Sequence, residues 1–319
     1  MSLKKKKAWI VTIDIGYGHQ RAAYQLKDIA YERIIIANND KVVPRRELKL
    51  WKAFKSFYNG ISRIASLPLV GEFFWKFYDR FQSISPYYPF RDLSKPNLGS
   101  LYYHTLIRRN FGKSIVDYTR KKKIPFVSTF PLPALAASHA GLKDVYCVVT
   151  DTDVQRYWVP ENPKKEKLYY LTPTEHSTKR IIAYGVPKEK VFFTGFPLPK
   201  ENLGKNLEIL KKDLGYRLPN LDPKRTYINR YKETLRKRLG KDYRARSDHP
   251  LTIAYAVGGA GAQKEVGASI LRSLKKHIKN HKLRLILVGG IRLEVAEYFN
   301  KVIKELGLTS EKRKFVDVL

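Results

Sequence analysis

Short apolar, β-branched runs alternate along the chain with longer stretches of helical periodicity. The runs at 9–13, 33–37, 125–129, 145–150, 167–172 and 191–194 are continuous rather than alternating, as parallel strands buried on both faces are. Strands separated by helical stretches predict an α/β domain over 1–199. From 200 to 250 the texture becomes charged and proline-interrupted, with helical pieces and no strand-like run, which predicts a helical linker or insertion. A new strand, helix, strand, helix series starts at Leu251, and its last apolar run, 315–319, predicts a further strand. Only 69 residues follow position 250, fewer than the roughly 100 to 200 a nucleotide-binding α/β domain ordinarily uses. The second domain, 251–319, is therefore expected to be cut short.

Residues 50–81 carry a different pattern. Leu50, Phe54, Phe57, Ile61 and Ile64 recur at spacings of 4, 3, 4 and 3, which gathers them on one helical face away from Lys52, Lys55, Ser56, Asn59 and Arg63. Pro68 interrupts the run, and a second aromatic cluster follows around Trp75. Aromatic residues on one side and basic residues on the other suit a helix lying in a membrane interface. That expectation makes Trp51, Phe54, Phe57 and Trp75 the membrane contacts. The same pattern also suits a helix packed on the sheet with a solvated basic face.

Charge sharpens the choice of partner. The 62 Lys and Arg against 29 Asp and Glu give a net charge of +33, which points to a polyanion, either an anionic lipid surface or nucleic acid. No RNP-like or GXXG nucleic-acid signature accompanies it. The single cysteine, Cys147, sits in the apolar run VYCVV, so no internal disulfide and no multi-cysteine zinc pattern is available and a reducing, cytoplasmic setting is expected. The basic start is followed by an apolar run that Asp14 ends, and no window reaches the roughly 18 uncharged apolar residues of a membrane span. Membrane contact is thus expected to be peripheral, on the inner face.

The string IVTIDIGYGHQRAA reads as a strand, a glycine turn and a helix. Gly16 and Gly18 permit close backbone approach, and the helix aims free N–H groups and a partial positive charge at the turn. His19 opens that helix. A histidine there suits proton abstraction from a hydroxyl, because a helix N-terminus favours its neutral form. A tight βα turn with a capping histidine has the same signature.

More of the chain bears on that choice. Residues 16–23 (GYGHQRAA) resemble the GxGHxxAA opening of the family of plant monogalactosyldiacylglycerol synthase and bacterial processive diacylglycerol glucosyltransferases, relatives of the peptidoglycan N-acetylglucosaminyltransferase. In order behind it, 126–137 (FVSTFPLPALAA) resembles the family's strand and STHP turn, and 148–160 (VVTDTDVQRYWVP) its VTD…H..W segment. Residues 169–199 are similar to the segment that closes its first domain. The resemblance implies a GT-B-like fold of two Rossmann-like parallel-sheet domains. It also implies transfer of a hexose from a UDP-sugar to a lipid or membrane-proximal hydroxyl, with no metal and no cofactor. His19 takes the place of the candidate general base, with Asp151 to orient it, and Thr129 and Asp153 lie in the acceptor-side turns. Asp151 and Asp153 also read as turn or helix-capping residues. Phe130 and Gln155 stand where the family often has histidine, which removes a titrating imidazole at both places.

A second glycine turn follows the strand LTIAYAV. Gly258, Gly259 and Gly261 stand before a helix, where backbone N–H groups can hold a diphosphate, and Gly289 closes the next strand. The turn is neither a P-loop nor a GxGxxG fingerprint, because Lys264 is followed by Glu265 and takes the place of the last glycine. It also reads as a plain βα connection. The resemblance implies an acidic residue that grips the donor ribose, at a place that would fall beyond 319. Two readings of another kind accompany the transferase: a basic membrane- or nucleic-acid-binding protein retaining a degenerate GT-B fold, and a sugar-nucleotide epimerase, which fits the aromatic stretch poorly.

Overall fold

The computed structural model describes residues 6–15, 17–64, 83–257, 263–290 and 292–319, without the side chains of 55 and 57–64. It divides into two compact units, Met1–Pro199 and Lys200–Leu319.

In the first unit, strands β1 (Ala8–Thr12), β2 (Ala30–Ile36), β3 (Phe126–Ser128), β4 (Val145–Val148), β5 (Leu168–Thr172) and β6 (Val191–Phe193) form one sheet in the order β2-β1-β3-β4-β5-β6. Every pairing is parallel. Successive side chains point to opposite faces of a strand. Trp9, Val11, Phe126, Val145 and Cys147 accordingly enter the larger core, and Ala8, Ile10, Val127 and Val148 a smaller one on the other face. Double-sided burial explains why the central strands β1, β3 and β4 read as unbroken apolar runs, whereas the edge strands β2 and β6 are only partly buried.

The helices follow from local signals. Helix α1 (Tyr17–Tyr24) leaves the β1 turn, and α2 (Arg45–Ile64) is the long amphipathic helix. Helix α3 (Leu98–Arg108) starts at a capping box in which Asn97 and Ser100 satisfy each other's backbone N–H groups. Helices α4 (Lys113–Arg120) and α5 (Pro131–His139) flank β3, and α6 (Glu175–Ala183) begins at a second capping box, Thr174 with Ser177.

The structure corrects the phase assigned to α2. Leu48 packs on the core, Trp51 is fully buried and Phe54 is 8% exposed, whereas Leu50 is 51% exposed. The inner stripe among the described side chains is thus 48, 51 and 54, which keeps Phe54 of the expected face and turns Leu50 out to solvent. Trp51 packs against Phe111 with ring centroids 4.3 Å apart, and Phe54 meets Tyr103 edge-on at 5.8 Å. Trp51 and Phe54 are therefore core residues and not membrane contacts. The Phe57 side chain and Trp75 lie outside the described residues. No helix among the described residues is long and apolar enough to cross a membrane.

The second unit opens with α7 (Glu208–Leu221), α8 (Thr226–Arg230) and α9 (Lys232–Leu239), which share a small core of Ile228, Leu235 and Leu239. The 200–250 stretch belongs to this unit rather than standing apart as a linker. Strands β7 (Leu251–Ala256), β8 (Leu283–Val288) and β9 (Val316–Val318) form a parallel sheet in that order. Leu283, Leu285 and Leu287 turn toward α10 (Lys264–Lys279) and α11 (Leu293–Glu305). The chain is an α/β protein of two Rossmann-like parallel-sheet units, consistent with the GT-B class.

Candidate functional site

The strand order of the first unit fixes where a ligand site belongs. The chain passes from β1 outward to β2, then back across β1 to β3, so the direction of winding reverses between β1 and β3. In doubly wound sheets ligands bind outside the carboxyl ends of the strands at such a switch point. His19 follows β1, Thr129 and Phe130 follow β3, and Thr150 and Asp151 follow β4. The fold therefore brings together residues up to 132 positions apart in sequence.

His19 is held from three sides. Its Nδ1 lies 2.9 Å from the Thr129 carbonyl oxygen and 2.9 Å from Thr150 Oγ1. Because a carbonyl only accepts, Nδ1 carries the ring hydrogen and Nε2 keeps its lone pair; the tautomer is assigned from this network. The Thr129 hydroxyl donates to the His19 carbonyl oxygen at 3.0 Å and sits 2.8 Å from Thr12 Oγ1. Phe130 meets the imidazole edge-on, centroids 5.0 Å apart. Upstream, the Asn38 side chain clamps the backbone of Asp14 from both sides, and Gln20 donates to the Asp14 carboxylate. The turn is thus anchored to the strand beneath it.

His19 and Asp151 line one cavity of about 110 Å³ with Gln155 and the aromatic rings of Phe54, Tyr103, Phe130 and Trp158. Burial lowers the His19 pKa below its ordinary value, with the Thr129 hydrogen bond and the Asp151 charge working against it. Asp151 reaches the surface at the cavity mouth, yet the packing around it raises its carboxyl, opposed by the charge of His19. A neutral imidazole with a free Nε2 beside an acidic group can take a proton from a hydroxyl and stabilise the imidazolium formed. Two further polar atoms belong to residues of this wall: Gln155 Oε1 and Trp158 Nε1 are buried without a hydrogen-bond partner among the described residues.

Asp153 does not share this cavity. Its Oδ1 accepts from Arg180 Nε and from the Val154 N–H, both at 2.9 Å, and its Oδ2 lies 3.0 Å from Arg180 Nη2 and 2.9 Å from His176 Nε2. Burial pushes its carboxyl up, but the Arg180, His176 and Val154 hydrogen bonds outweigh that and hold it below the usual range. Arg180 is itself buried and donates to the Ser85 carbonyl oxygen at 2.7 Å. Asp153 ties the β4 and β5 connections together, and this replaces the expectation that it contacts an acceptor.

The glycines divide similarly. Gly18 is exposed in the first turn of α1, and a side-chain carbon built there would meet nothing within 4 Å. Gly289 is explained by packing: a Cβ would lie 3.1 Å from the Ala296 nitrogen on α11, and its own N–H donates to the Leu319 carbonyl oxygen at 2.7 Å. That N–H is not available to a phosphate, which corrects the donor role expected of it. Gly16, Gly258, Gly259 and Gly261 lie outside the described residues. Thr150 and Tyr103 join the site without a motif to mark them, apart from the place of Thr150 next to Asp151 at a strand end, whereas Gln155 and Trp158 lie in the 148–160 segment that carries the resemblance. Larger cavities exist on this unit, one of about 520 Å³ lined by Arg120, Lys122, Lys123 and Lys143, at the amino ends of β3 and β4 and thus away from His19.

Three likenesses to known proteins accompany this geometry. Residues 232–318 match a domain of unknown function, DUF6938. A stretch of 94 residues is 31% identical to a processive diacylglycerol beta-glucosyltransferase of Bacillus cereus (strain 03BB102), covering 28% of this chain and 23% of that protein. The chain thus matches about a quarter of that relative's length. Aligned on structure, 98% of this chain covers 68% of a UDP-N-acetylglucosamine 2-epimerase from Rickettsia bellii, at 13% identity and a TM-score of 0.38.

Proposed function

We propose that this chain carries the acceptor-binding half of a nucleotide-sugar-dependent glycosyltransferase that moves a hexose from a UDP-sugar to a hydroxyl on a lipid or another membrane-proximal acceptor. The observation that carries the reading is the state of His19. Its Nδ1 hydrogen is committed to the Thr129 carbonyl, so Nε2 is the one ring atom able to accept a proton, and His19 lines a cavity shared with Asp151 at the switch point of the sheet.

In this mechanism the acceptor hydroxyl sits against Nε2, gives up its proton as the oxygen attacks the anomeric carbon, and the UDP leaves with the bonding electrons. Asp151 stabilises the imidazolium. Thr129 and Thr150 are positioning residues that hold the ring's tautomer and tilt. The partial match to a glucosyltransferase supports the reaction class, and the net charge of +33 supports work at an anionic surface on the cytoplasmic side.

The test is hexose transfer from UDP-sugars by the protein in its full natural length, before and after His19→Ala. Base catalysis contributes about 10²- to 10⁴-fold, and a loss in that range is expected; undiminished turnover would remove His19 from the role.

A further inference from the structure

Helix α3 turns apolar residues to both of its sides. Gly99, Ser100, Tyr103, His104 and Ile107 are buried, and Tyr103 lines the His19 cavity. On the opposite side Leu98, Leu101 and Tyr102 stand at positions i, i+3 and i+4, exposed by 56%, 42% and 37%. A surface helix ordinarily places polar residues on that stripe, and neighbouring exposed apolar side chains mark a surface that meets lipid or another protein. The segment leading into the helix has the same character: Tyr88 and Phe90 are 69% and 86% exposed, their ring centroids 4.7 Å apart.

Charge selects the occupant. Arg91 and Lys95 precede the helix and Arg109 follows it, all exposed. On a chain of net charge +33 a second copy would bring like charge to the same face, whereas anionic headgroups bring the opposite charge and an apolar layer beneath it. The geometry points to the outer face of α3, with Tyr88 and Phe90, as the surface that lies in the headgroup layer of an anionic membrane. This rests on the acceptor being membrane-borne and says where the membrane is met. A helix is about 10 Å across, so an interfacial α3 separates the headgroup layer from the His19 cavity by a single helix. It also relocates the membrane contact from Trp51 and Phe54, which are buried, to side chains that reach solvent.

The experiment is flotation with vesicles of phosphatidylglycerol and phosphatidylcholine, and with phosphatidylcholine alone, at moderate salt and without any sugar donor. Wild-type protein is expected to float with the anionic vesicles only. The double variant Leu98→Ser, Leu101→Ser is expected to bind at least about tenfold more weakly, and Phe90→Ser to weaken binding in the same direction, both with an unchanged melting temperature. Wild-type protein that ignores anionic vesicles, or a folded double variant that binds them as tightly as wild type, overturns the assignment. So does a dimer in light scattering that the same substitutions dissolve, since that gives the face to a second copy. No outcome depends on transfer chemistry, so failure here leaves the His19 test standing, and the reverse holds.

Discussion

The Nδ1 of His19 lies 2.9 Å from the carbonyl oxygen of Thr129, and this one contact decides which ring nitrogen can do chemistry. Burial then lowers the pKa of the ring. A group whose neutral form is favoured in the folded protein stays a competent base below its ordinary value of about 6.5. Transfer is therefore expected to hold steady down to about pH 6.5 and to fall on an acidic limb below it. The pH dependence of kcat/KM checks this, and NMR titration of the His19 ring should give the same midpoint.

The same lowered pKa has a stability consequence. Below about pH 6.5 the unfolded chain binds a proton at His19 that the folded chain resists, so this residue's contribution to stability is lost as pH falls from about 6.5 toward the folded value. Replacing His19 with Gln is expected to flatten that part of the melting temperature against pH, which thermal unfolding at a series of pH values measures.

Thr150 was not foreseen in the sequence, yet its hydroxyl lies 2.9 Å from His19 Nδ1. Thr150→Val keeps the shape and removes the hydroxyl. Expected are a fall in kcat of a few-fold to about tenfold, in line with about 1 kcal/mol for a net hydrogen bond, and a moved acidic limb. Thr150→Ser should restore both. A change in melting temperature alone, with the pH profile unmoved, would make Thr150 a packing residue.

Trp51 and Phe54 test the corrected face of α2. Trp51 is fully buried against Phe111, so Trp51→Ala is expected to cost about 3 to 5 kcal/mol of stability. Chemical denaturation measures the loss. If the variant kept wild-type stability and lost vesicle binding instead, the aromatic side chain would have to face the membrane after all.

Cys147 is fully buried and its thiol is pushed well up from the ordinary range, first by burial and then by the Asp151 charge. A thiol-specific reagent at neutral pH is expected to label it only as the protein unfolds, since the thiolate is the reactive form. Labelling rates across a denaturant series check this.

The strands were legible because their physics is local. The central strands β1, β3 and β4 are runs of apolar residues buried on nearly every side, and the strands among the described residues lie where the apolar runs stand. The facing of α2 was not, because Leu48, Leu50, Trp51 and Phe54 support two helical phases and only the packing of Phe111 and Tyr103 selects one. Within the site, His19 was legible as a histidine at the start of a helix after a glycine turn. Its partners were not: Thr129 is 110 residues away and Thr150 131, and only the winding of the sheet brings them together. Asp153 misled for the same reason. Its true partners, His176 and Arg180, lie on α6 beyond the next strand.

The most direct measurement is the rate of hexose transfer from a UDP-sugar to a hydroxyl acceptor, compared between the wild-type protein and His19→Ala at saturating donor. Base catalysis by His19 predicts a fall in kcat of about 10²- to 10⁴-fold with the fold intact. Equal rates in the two proteins would contradict it.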